Sequence, residues 1–146
     1  MNIILPIVFA TIAAIGNAMF ALGQKQSSGI ENGLLFVAGS ALVAFILAIT
    51  TSPLFGAFSL ESMVRDNWKS LLFSGAGLFL TYVGFNLLYA KFGASQYVLY
   101  ATISIITTTV FVGIILLKEP VNIYHVSAIL LAMASVILFS VGQSKI

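Results

Sequence analysis

Long apolar runs, broken by short polar groups, set the pattern of this chain. The charges fall in small clusters: Lys25 and Glu31, then Glu61, Arg65, Asp66 and Lys69, then Lys91, then Lys118 and Glu119, then Lys145. Five uncharged stretches lie between them, near 3–22, 33–51, 70–90, 95–117 and 123–142. Each approaches or exceeds the ~20 apolar residues that cross a bilayer core. Their hydrophobicity is unbroken rather than alternating, which excludes a β-barrel and leaves helices as the spanning element. The expected fold is all-α: one polytopic membrane domain over 1–146 with five transmembrane helices. A short interfacial helix is expected near 59–68. There Leu60, Met63, Val64 and Trp68 share one helical face, and Glu61, Ser62, Arg65, Asp66 and Lys69 share the other. Ser59 stands where an N-cap would, with Glu61 in the positive first turn and Trp68 as a headgroup-level anchor.

The last two spans organise the chain. No Asp, Glu, Lys or Arg lies between Phe92 and Leu117, and the final span carries only His125. Pro120 cannot continue a helix and biases Glu119 away from the helical region, so the fourth helix is expected to stop there. That makes a transmembrane hairpin with almost no loop. Its first arm carries Thr102, Ser104, Thr107, Thr108 and Thr109.

Helical spacing sorts the remaining polar residues into faces. On the first span, Ala10, Ala13, Ala14, Asn17, Ala21 and Gln24 form a stripe of small residues with two amides. It is either a close helix contact with Asn17 as polar glue, or a cavity wall with Asn17 as a hydrogen-bonding group. The second span holds Ser40 and Thr50 and gives no chemical signal. The third carries a small-residue stripe, Ser74, Gly77, Thr81 and Gly84, beside a polar-aromatic one, Tyr82, Asn86 and Tyr89. On the fourth, Tyr97, Tyr100, Ser104, Thr107 or Thr108, and Phe111 share a face. Buried hydroxyls and amides need partners in hydrocarbon, so these stripes either satisfy one another or line a cavity. On the fifth, Ala128, Ala132, Ser135 and Gly142 make a packing or dimer face, and His125 sits near the interface.

Composition narrows the function. The chain is 60% hydrophobic and 7% charged, against roughly 25% charged in soluble domains. A net charge of +2 without a basic cluster argues against nucleic-acid binding. The first apolar stretch lacks a basic leader and outruns a signal peptide's apolar region, so it reads as a retained span. There is no cysteine, hence no disulfide, thiolate metal site or thiol nucleophile. No P-loop, HExxH or nucleophile–His–acid set is present, and one histidine leaves little room for acid–base chemistry. An enzyme is not expected, nor is a cofactor. No ionisable residue lies near the centre of any span, where ion-coupled carriers usually keep one.

The chain resembles one EamA-type repeat of the drug/metabolite transporter superfamily. The likeness lies in Leu88-Tyr89-Ala90 closing the third span, the stretch from Ala94, the hydroxyl-bearing helix ending Leu116-Leu117-Lys118-Glu119, and the small residues before Gly142. The first span is also similar to small multidrug resistance proteins and the related lipid-linked aminosugar flippases, the latter through Gly23-Gln24-Lys25-Gln26. The small multidrug exporters carry a glutamate in mid-first-helix, where this chain has Ala13, Ala14, Ile15 and Gly16. EamA repeats often carry a proline within the fourth helix, where this chain has Ile106, so the family's kinked, discontinuous helix is not implied here. Glu119 matches the family's glutamate after that helix and is expected to be structural.

The resemblance implies a small transporter in a bacterial inner (plasma) membrane. It would work by alternating access as a homodimer or with a related subunit, because most members carry two repeats and this chain carries one. The substrate would be a small metabolite or a lipid-linked head group. The expected liners are Asn17, Tyr82, Asn86, Tyr97, Tyr100, Ser104 and Thr108, offering neutral hydrogen bonds and aromatic faces. The competing class is a non-transporting membrane subunit that stabilises a larger complex. Orientation is undecided by charge. Arg65, Lys69 and Lys118 fall on one side and Lys25, Lys91 and Lys145 on the other, so 3 oppose 3. The rule that orients membrane proteins by Lys and Arg then gives no bias, and insertion both ways, yielding an antiparallel dimer, is expected.

Overall fold

A computed structural model describes residues 4–143. Among them there are five helices long and apolar enough to cross a membrane, and no strand. The protein is a multi-pass helical membrane protein whose outer faces suit a lipid bilayer. The helices fall into two compact units divided after Ala94.

The first unit holds α1 (Ile4–Gln26), α2 (Gly33–Thr51) and α3 (Leu60–Phe92). Pro6 lies in the first turns of α1, where its missing N–H is harmless. The chain leaves α1 through a tight turn, in which Ser27 N–H donates to Gly23 O at 3.1 Å and Ile30 N–H to Ser27 O at 3.0 Å. Asn32 then caps α2: its Oδ1 accepts from Leu35 N–H at 3.0 Å, satisfying one of the helix's unpaired first donors. At the far end the hydroxyls of Thr50, Thr51 and Ser52 all donate back to carbonyls of their own helix. Pro53 shapes the 3₁₀ turn Ser52–Leu54 that follows.

At 33 residues, α3 would run to about 50 Å, far more than a bilayer needs. A break at Asn67 (φ −128°, ψ 16°) resolves this. Leu60 to Asp66 forms an amphipathic arm before the break, and the membrane-spanning part follows. The arm is the expected interfacial helix, joined to the span by a kink instead of a loop. Ser59 does occupy the N-cap position, but its side chain makes no cap bond; its Oγ instead accepts from Ser62 Oγ at 2.7 Å. Arg65 Nε contacts Asp66 Oδ1 at 3.0 Å, and the Lys69 ammonium lies 5.6 Å from the Trp68 ring centroid. Such exposed pairs add little stability.

The second unit opens with a 3₁₀ turn (Ala94–Gln96) and α4 (Tyr97–Ser104). The coil then widens into a π-helix over Ile105–Leu116, so the span runs on from α4 without a break. Positions 105 to 110 are six consecutive β-branched residues, which crowd the preceding turn of an α-helix; a wider coil relieves that crowding. The end also falls earlier than Pro120 alone dictates. Lys118 adopts φ 55°, and Glu119 N–H donates to Gly113 O at 3.0 Å, a Schellman-type stop. The Glu119 carboxylate folds back over Gly113, whose missing side chain leaves the room: a Cβ there would stand 3.1 Å from Oε2.

Helix α5 (Ile123–Gln143) starts with a reciprocal cap. His125 N–H donates to Asn122 Oδ1 at 3.1 Å, and Asn122 N–H to His125 Nδ1 at 3.3 Å, the logic of a capping box. This accounts for the lone histidine. The half-buried face of α5 is Ile129, Ala132, Val136 and Phe139; of the expected small-residue face only Ala132 belongs to it, while Ala128, Ser135 and Gly142 are exposed. Thr102, buried on α4, donates to Val98 O at 3.2 Å and across to Ala132 O at 3.4 Å.

Candidate functional site

The polar centre of the first unit is a seam between α1 and α3. Asn17, Phe20, Ala21 and Gln24 lie at i, i+3, i+4 and i+7 on α1, and Tyr82, Phe85, Asn86 and Tyr89 repeat that spacing on α3. One helical face therefore meets another. Phe20 packs on Tyr82 (centroids 5.1 Å) and edge-on to Phe85 (5.8 Å), and Phe85 stacks on Tyr89 at 5.1 Å. These aromatic contacts give the seam a rigid apolar floor.

Above that floor sits an amide pair. Asn86 Nδ2 donates to Gln24 Oε1 at 2.7 Å, joining residues 62 positions apart. Gln24 is 1% exposed and Asn86 9%. The start of α2 closes over them: a Cβ on Gly33 would lie 2.5 Å from Asn86 Oδ1, so any larger residue here must displace the amide. Ser27, also buried, donates its hydroxyl to the Gln24 carbonyl at 2.9 Å. The Gln24 Nε2 is buried without an acceptor. Leaving a buried donor unmet costs about 1–3 kcal/mol, whereas an interhelical hydrogen bond in a membrane averages only ~0.6 kcal/mol. The pair is therefore not explained as a simple clamp between helices.

Of the expected liners, Asn86 is buried in this seam, Tyr82 half-buried at its edge, and Asn17 half-buried two turns from Gln24. Tyr97, Tyr100, Ser104 and Thr108 belong to the second unit. There Tyr97 and Tyr100 pack against each other at 5.4 Å, Ser104 is half-buried and Thr108 exposed. Gln24 is the residue the expected set lacks. Its place on the amide-bearing face of α1 was visible in the sequence, but its partner was not.

A groove of about 570 Å³ lies between α2 and α3. Ala38, Ala41, Ala44 and Ala48 line it from α2, opposite Gly75, Phe79 and Tyr82. It is apolar except for the tyrosine. The second span, silent on chemistry, therefore builds one wall of the groove, its alanines set among Leu34, Val37 and Phe45. Among the described residues no group of three or more His, Cys, Asp or Glu could hold a metal ion.

Together the helices and seam define a small integral membrane protein with a buried, uncharged polar junction. No family model, no curated protein and no solved structure matches the chain.

Proposed function

We propose that this chain is a small membrane transporter of the drug/metabolite type, working by alternating access as a dimer. The observation that supports this is the Gln24–Asn86 pair: two amides buried together between helices, with one donor unmet. Polar groups at such positions in membrane proteins commonly mark substrate paths. Neutral amides fit a small metabolite or a lipid-linked head group better than a proton- or drug-cation-coupled exchanger, since every Asp and Glu among the described residues is exposed. Two antiparallel copies would reproduce the inverted repeat from which fused transporters build a midplane site. A bacterial inner membrane is the location in keeping with the family resemblance. The direct test is flux in proteoliposomes across a panel of neutral metabolites and lipid-linked head groups, for the native chain and Asn86→Leu. Saturable flux lost in the variant supports transport; no flux above empty vesicles for any compound rejects it.

A second reading has its own support. The groove of the first unit is apolar, and no residue of α5 is buried, as suits a subunit that packs inside a larger membrane complex. Purification from the native membrane under mild detergent separates the two. A stoichiometric association with unrelated polypeptides favours the subunit; a self-dimer favours the transporter.

A further inference from the structure

The unmet donor of the α1–α3 seam sits among groups that are otherwise engaged. Gln24 Oε1 is taken by Asn86 Nδ2, and the Ser27 hydroxyl by the Gln24 carbonyl. Gln24 Nε2, on a side chain 1% exposed, is buried with nothing to donate to. Native interiors rarely keep such an atom without a use for it. An amide N–H calls for an oxygen acceptor. A charged ligand is disfavoured: every Asp, Glu, Lys and Arg among the described residues is exposed, and an ion here would be unpaired. Lys25 follows Gln24 in sequence but points about 100° round the helix and is exposed.

We propose that Gln24 is the residue through which this seam recognises a ligand. The recognised group is an uncharged oxygen acceptor, an amide carbonyl or a hydroxyl, carried by a small polar molecule or by a lipid head group. When α1 and α3 part, Gln24 Nε2 and Asn86 Nδ2 donate to the ligand oxygen, and Asn86 Oδ1 accepts from the ligand's own N–H or O–H. The proposal rests on the transport reading only in sharing Asn86. It concerns binding, so protection without flux would reject transport and leave it standing.

The chain has no cysteine, so Ser27→Cys places a single reporter thiol beside Gln24. The full chain is reconstituted in phosphatidylcholine vesicles and its maleimide labelling rate is followed with acetamide, glycerol or acetate in the buffer. A parallel sample without additive uses equal parts phosphatidylcholine and phosphatidylglycerol. Acetamide and acetate share a shape and differ in charge. Labelling is expected to slow about threefold, the protection from a ligand at twice its dissociation constant, with acetamide or glycerol but not with acetate. Slowing in the phosphatidylglycerol vesicles alone identifies the hydroxyl as that of a lipid head group. Gln24→Glu keeps the shape but removes the donor, and must abolish the protection. Gln24→Leu serves the same purpose if a buried carboxylate prevents folding. Protection that survives both substitutions, acetate as effective as acetamide, or no slowing under any condition overturns the proposal.

Discussion

At Asn86 the energetics separate binding from folding. Asn86→Leu strands the whole Gln24 amide, so a loss of about 1–3 kcal/mol is expected, with transport abolished if the seam lines a path. Replacing both amides removes the need for either partner. Gln24→Leu with Asn86→Leu is therefore expected to recover most of that stability while transport stays absent. Denaturant titration in detergent micelles measures the first quantity and proteoliposome flux the second. A double variant less stable than the Asn86→Leu single would show that the amides are not acting as a pair. Glycine offers a sharper contrast. Gly33→Ala drives a methyl to 2.5 Å from Asn86 Oδ1, and overpacking of this kind costs about 1–3 kcal/mol. Gly77 and Gly84 belong to a stripe that the sequence marks for close packing, yet nothing lies within 4 Å of a Cβ built on either. Alanine there is expected to be neutral, or stabilising by up to ~1 kcal/mol through helix propensity. Equal melting shifts for Gly33→Ala and Gly77→Ala would contradict this assignment.

At the scale of elements, the two departures from regular α-helix have different origins. The kink at Asn67 divides an amphipathic arm from an apolar span, so the change in side-chain pattern and the change in backbone coincide. Trp68, just past the break, is expected at headgroup level. Its fluorescence should be quenched more by lipids brominated near the headgroup than by those brominated at the chain ends, and Asn67→Ala should weaken that difference by straightening α3. Strongest quenching by chain-end bromine in the native protein would place the arm elsewhere. The π-helix had a sequence trace in its β-branched run, but a stretch apolar on every side carries no periodicity from which its turn could be read. The caps are similar. Asn32 and Asn122 are ordinary loop residues in sequence, and become caps once the helix starts are fixed.

For the whole molecule, the open question is orientation. With Lys and Arg balanced 3 against 3 along the sequence, the expectation is that copies insert both ways; Lys145 lies outside the described residues. Reporters fused at the carboxyl end should give comparable signals on both sides of the membrane, and one added lysine in the 91–94 turn should shift the balance. A reporter found on one side only, unmoved by that lysine, would end the antiparallel-dimer proposal.

The sequence by itself determined the membrane class, the five helices and the faces on which their polar residues lie. Those follow from local hydrophobicity and from a period of 3.6 residues, both readable within twenty positions. Tertiary structure alone decided what those faces meet. Gln24 finds Asn86 across 62 positions, and Gly33 matters only because another helix brings an amide to its Cα. The alanines of α2 become the wall of a groove only because α3 stands opposite. A helical period fixes direction around an axis, whereas partners depend on how separate axes pack, and in a chain of small apolar residues many packings share one pattern.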